Sequence, residues 1–101
     1  MNIVVFCNAG MSSGLIVNKM RAVAEPGDNI NAYQSSKYQE MAPTADVVFL
    51  SPALRFQIDT VKKICDPLGI PVTTIDMKIY GFADGAALYK EAKKIVAEKK
   101  K

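Results

Sequence analysis

The residues best equipped for chemistry stand together near the N-terminus. Cys7 is followed by Asn8, Ala9, Gly10, Met11, Ser12, Ser13 and Gly14. The apolar run Ile3-Val4-Val5-Phe6 comes before it, and Leu15 to Met20 reads as helix after it. This puts a thiol at the carboxyl end of a buried strand, in a loop that opens a helix. Successive backbone N–H groups in such a loop, with the unpaired donors of the helix start, form a cradle for an anion. Gly10 and Gly14 permit backbone geometry that larger residues resist. Ser12 and Ser13 suit a helix cap or a contact to an oxyanion. The positive end of a helix favours thiolate over thiol, which makes sulfur a nucleophile. A nucleophilic sulfur inside a phosphate-shaped nest points to a cysteine that carries a phosphoryl group. The plainer reading of Cys7 alone is a small buried hydrophobe. The Gly and Ser residues after it favour the chemical reading, because an ordinary strand-to-helix turn needs fewer special residues.

The rest of the chain must position that loop. Its 101 residues form one small domain, with Lys99 to Lys101 expected as a frayed tail. Half of the residues are hydrophobic, enough for a core and against disorder. The net charge of +3 falls short of a nucleic-acid binder. There is no histidine, which removes the commonest metal ligand, and the loop lacks the Gly-x-Gly-x-x-Gly spacing of a nicotinamide site, so neither a metal nor a cofactor is expected. No apolar run reaches membrane-spanning length and no secretory signal opens the chain, so a cytoplasmic location is expected. Cys7 and Cys65 should then stay reduced.

Apolar spacing predicts a helix from Ser12 to Ala24 with Leu15, Ile16, Met20 and Val23 on its inner face. A half-polar strand follows at Asn29–Gln34, then a short helix near Ser35–Glu40 that ends by Pro43. Val47–Leu50 reads as a second buried strand and Ala53–Cys65 as a helix. Pro71–Ile75 is a mixed strand, and Asp76–Phe82 is expected to be a loop. Asp84 suits the cap of a last helix that turns Leu88, Ala92, Ile95 and Val96 inward. This β-α-β alternation predicts an α/β fold: an open four-stranded parallel sheet with helices on both faces. The two wholly apolar strands should be central and the mixed ones at the edges, giving the order 2-1-3-4. Ligand crevices form where such a sheet reverses direction, outside the carboxyl ends of the strands. The loops meeting there are Cys7–Gly14 and Ser51–Arg55. Arg55 is a candidate phosphate contact, or an exposed helix charge. Tyr80 is a candidate for the crevice wall or a docking surface. Cys65, on the apolar face of its helix, is expected to be an inert core thiol.

Three chemistries suit a thiolate in such a nest. Cysteine phosphatases need an Arg after five intervening residues, to grip the phosphate and stabilise the transition state. That position is Ser13 here. Redox work favours a resolving thiol in a Cys-x-x-Cys pair, and position 10 is Gly. A small cysteine-dependent phosphatase or arsenate-reductase-like enzyme stays as the runner-up, and an anion-binding module with an inert thiol stays behind it. A carrier of phosphate fits best.

Cys7-Asn8-Ala9-Gly10-Met11-Ser12-Ser13-Gly14-Leu15 resembles the phosphocysteine loop of the enzyme IIB components of the bacterial sugar phosphotransferase system, lactose/cellobiose (chitobiose) class. Asp46-Val47-Val48-Phe49-Leu50-Ser51-Pro52 resembles that family's third strand and its proline-bearing loop. Ile75-Asp76, Tyr80-Gly81 and Asp84-Gly85 resemble the segment after its last strand. The departures are Gly14, where the family often carries a hydroxyl, and Ser13, where Thr is common. The resemblance implies a phosphotransferase. A phosphohistidine IIA protein would dock over the crevice and load Cys7, with the loop from Asn8 to Gly14 holding the phosphate. A membrane IIC transporter would then receive it for an incoming sugar, a β-linked disaccharide such as cellobiose, chitobiose or lactose. A largely apolar docking surface is expected around the loop, with Met11 and Tyr80 in it. The free chain is expected to be a monomer.

Overall fold

The two unbroken apolar runs become the inner strands of a parallel sheet. A computed structural model of the chain describes residues 1–7 and 11–99. Its strands are β1 (Asn2–Cys7), β2 (Asn29–Gln34), β3 (Val47–Leu50) and β4 (Val72–Thr74). They lie in the order β2-β1-β3-β4, every neighbour parallel. The 2-1-3-4 order expected from strand polarity is therefore the order found. The cause is solvation. Every residue of β3 and all of β1 but Asn2 are buried, whereas β2 and β4 keep partly exposed residues at the edges.

Strand alternation divides the core in two. Ile3, Val5, Val47 and Phe49 face one way, under α1 (Met11–Val23) and α5 (Gly85–Lys99). Val4, Phe6, Val48 and Leu50 face the other, under α2 (Tyr38–Met41) and α3 (Ile58–Cys65). Each of these buried side chains contributes roughly 1.5–3 kcal/mol by leaving water. On the first face α1 and α5 approach closely at Gly85. A Cβ there would stand 2.5 Å from the Met20 backbone nitrogen, so the contact requires glycine. On the second face Gly69, at φ 71°, ends the turn after α3 in the left-handed conformation that glycine adopts without strain.

Several expectations are corrected. The inner stripe of α1 is Ile16, Val17 and Met20; Leu15 and Val23 are exposed instead. Both stripes are apolar, and the close approach of α5 at Gly85 selects the one that is buried. Asp76–Phe82 is not a loop. It holds α4 (Met77–Gly81), capped by the Asp76 carboxylate, which accepts from the N–H groups of Lys78 and Ile79 at 2.8 and 3.4 Å. The segment expected as one helix from Ala53 is a 3-10 turn (Pro52–Gln57) before the shorter α3. The short helix expected near Ser35–Glu40 starts as a 3-10 turn, Ser35–Lys37, before α2; it does end ahead of Pro43, which lies in a further 3-10 turn, Ala42–Thr44. Tyr89, unassigned by periodicity, is buried in α5 beside the expected Leu88 and Ala92, and Ile95 is only partly buried. Asp84 does cap α5: its carboxylate accepts from Ala87 N–H at 3.1 Å.

Candidate functional site

Cys7 is the last residue of β1, and α1 begins at Met11. The chain reverses between β1 and β3, so the sheet's switch point lies at this carboxyl end. Cys7 is only 2 % exposed. Gln34 of β2 stands beside it in register. On the other side, Ser51 continues β3: its N–H donates to the Phe6 carbonyl at 2.9 Å, one step beyond the Phe6–Leu50 pair. Helices cover both faces of the sheet at this strand. By alternation Cys7 and Ser51 fall on the same face of the sheet as Val5 and Phe49.

The electrostatics of this end suit an anion. The first turn of α1 carries no acidic residue to offset the positive end of its dipole. Arg55 sits in the 3-10 turn after β3, exposed, with no ion pair among the described residues. It is at the expected end of the sheet and presents its charge to solvent. Tyr80 lies in α4, half-buried, and packs against the core on the α1–α5 face, so only part of the ring is open to a crevice. Asn8, Ala9 and Gly10 of the expected phosphate loop lie outside the described residues, as do the side chains of Met11, Ser12 and Ser13. Gly14 belongs to α1, and a Cβ there would meet nothing within 4 Å. Packing therefore does not demand glycine at 14.

Ser51 is a residue that sequence reasoning did not single out. It is 1 % exposed, and among the described residues its hydroxyl is buried without a hydrogen-bond partner. A serine before proline at the end of an apolar strand reads as an ordinary cap. It has the extended backbone of a cap (φ −60°, ψ 156°), but its side chain makes no capping bond.

The opposite end of the sheet is closed by mutual satisfaction. The Met1 amine donates to the Asp28 carboxylate at 2.7 Å, and the Tyr89 hydroxyl donates to its other oxygen. Glu25 N–H in turn donates to the Tyr89 oxygen at 2.9 Å. The bond from the Met1 amine, then that from Tyr89, holds the Asp28 carboxyl below the usual carboxylate range. The same bond to Asp28 pushes the Tyr89 hydroxyl up. This network ties α5 to the start of the sheet. Among the described residues no cluster of acidic, cysteine or histidine side chains is arranged to hold a metal.

The sequence profile described as "PTS system, Lactose/Cellobiose specific IIB subunit" matches residues 2–91. The chain belongs to this IIB family of the phosphotransferase system. It is 37 % identical to the oligo-beta-mannoside-specific EIIB component of Bacillus subtilis (strain 168), over 89 % of this chain and 90 % of that one. It is 34 % identical to the cellobiose-specific EIIB component of Lactococcus lactis subsp. lactis (strain IL1403), over 78 % and 81 %. Among solved structures, the cellobiose-specific phosphotransferase IIB component of Borrelia burgdorferi superposes with a TM-score of 0.79 at 30 % identity, covering 98 % of this chain and 94 % of that one. The lactose-specific IIB domain of Streptococcus pneumoniae shares the fold, with a TM-score of 0.74 at 20 % identity, covering 100 % and 98 %. Membership in the IIB family gives the chain a role in phosphoryl transfer for sugar uptake. Among the described residues no helix is long and apolar enough to cross a membrane.

Proposed function

We propose that this IIB chain is a cytoplasmic phosphoryl carrier and that Cys7 is the residue that carries the group. The observation that supports this most directly is the position of Cys7: last residue of a central strand, at the switch point, before a helix whose first turn has no acid. A IIA protein phosphorylated on histidine docks at the carboxyl end of the sheet. The Cys7 thiolate attacks phosphorus in line. The S–P bond forms as the N–P bond breaks, and the imidazole nitrogen keeps the electron pair and takes up a proton. Backbone N–H groups from Asn8 to Gly14 hold the transferring oxygens. The loaded chain then meets a membrane IIC transporter, and the sugar hydroxyl displaces sulfur.

Two successive partners need a surface that binds and lets go. Leu15 at the start of α1, Phe56 after β3 and Met77 after β4 all follow the carboxyl ends of strands, and all are exposed, Phe56 by 75 %. These supply the apolar docking surface, with the half-buried Tyr80 at its margin. The relatives' names include an oligo-beta-mannoside, galactose and cellobiose at similar identity, which supports a choice of sugar made outside this chain. A β-linked disaccharide is the proposed cargo.

The test is intact mass after incubation with a phosphohistidine relay, followed by peptide mapping. One phosphate is expected on Cys7, and none on a folded Cys7→Ser chain. A Cys7→Ser chain that still passed phosphate to sugar would defeat the reading.

A further inference from the structure

We propose that the Ser51 hydroxyl donates a hydrogen bond to the phosphoryl group while Cys7 carries it. The inference rests on the carrier reading above and adds a side-chain donor from a different strand. Three observations converge. Ser51 extends the ladder beside Cys7, its N–H bonded to the Phe6 carbonyl, so the two residues are neighbours on adjacent strands, roughly 5 Å apart. Alternation sets both side chains on one face. The hydroxyl is buried and, among the described residues, unpartnered, although the residue sits where a serine usually caps the following turn.

A buried hydroxyl with no partner carries a desolvation cost in the resting protein. Replacing Ser51 by alanine removes this hydroxyl and keeps the backbone bond from its N–H to the Phe6 carbonyl. The hydroxyl gains its partner when a dianionic group arrives on Cys7. A bond to a charged acceptor is stronger than one between neutral groups, so the loaded state is favoured over the empty one.

Two readouts of the Ser51→Ala chain should therefore separate. The unphosphorylated variant should melt at the same temperature as the wild type or a few degrees above it. At equilibrium with a fixed phosphohistidine donor pool, its ratio of loaded to empty chain, read by intact mass, should fall by about tenfold. A Ser51→Gly chain provides the same comparison if the alanine variant does not fold. A folded variant with a ratio within about twofold of wild type overturns the proposal. So does a lower melting temperature in both variants, which makes the hydroxyl a structural group. Failure of the wild type to accept phosphate on Cys7 instead defeats the carrier reading, which separates the two ideas.

Discussion

The chain has two thiols, both buried, and the fold treats them in opposite ways. Cys7 ends β1, a few residues before the positive end of α1. Cys65 is the last residue of α3, at the negative end of that helix, and is packed with Val61, Leu54 and Ile70 on the other side of the sheet. Burial pushes the Cys65 thiol up, and the neighbouring Asp66 carboxylate adds to the effect. Burial alone thus says little about a cysteine. What matters is which backbone charges face it and whether a route leads to solvent. Cys7 stands at the carboxyl end of its strand, whereas Cys65 is closed in by a core layer.

The sharpest way to break this contrast is alkylation of the wild-type chain at neutral pH, mapped by peptide. Cys7 should react at least about tenfold faster than Cys65. Equal rates would mean that the helix start and the strand end give Cys7 no advantage. The next largest effect is on stability. Cys65→Ser puts a hydroxyl in an apolar layer and should cost roughly 1–3 kcal/mol in urea denaturation, while loading of Cys7 is unchanged. A loss of loading in that variant, still folded, would mean that the two thiols are coupled. The pH dependence sharpens the contrast further. The folded chain resists ionising Cys65, so this thiol's contribution is complete below the ordinary thiol range, about 8.5, and is lost as pH rises through the higher folded value. Wild-type stability should fall more steeply above about pH 8.5 than that of Cys65→Ala. Tyr38 and Tyr89, also shifted upward, are common to both chains and cancel in the difference. Parallel curves would remove the burial argument. The smallest expected effect is that of Arg55→Ala. An exposed charge is worth little, so loading should slow by no more than about fivefold. Complete loss in a folded variant would make Arg55 part of the phosphate site.

Much of the fold was legible because two solvation patterns are unambiguous in it. Val47–Leu50 and Ile3–Phe6 have no polar residue to turn toward water, so they had to be central strands, and the sheet order and switch point follow. Asp84 announced a helix start through chemistry local to a few residues. The α4 helix was missed because five residues are too few for periodicity, although Asp76 carried the cap signal.

By itself, then, the sequence determined which runs are strands, which of them are inner, and that Cys7 ends one of these beside a helix start. Those properties depend on neighbours in the chain and on whether a segment tolerates water. The tertiary structure alone decided that α1 buries Val17 and leaves Leu15 and Val23 in solvent, because α5 presses against it at Gly85. It alone decided that Tyr89, Asp28 and the Met1 amine meet, since they come from distant parts of the chain. It also made Ser51, which reads as an ordinary cap, a buried donor beside Cys7 that has no partner among the described residues. Whether a hydroxyl is satisfied depends on everything packed around it, and no local pattern of residues carries that information.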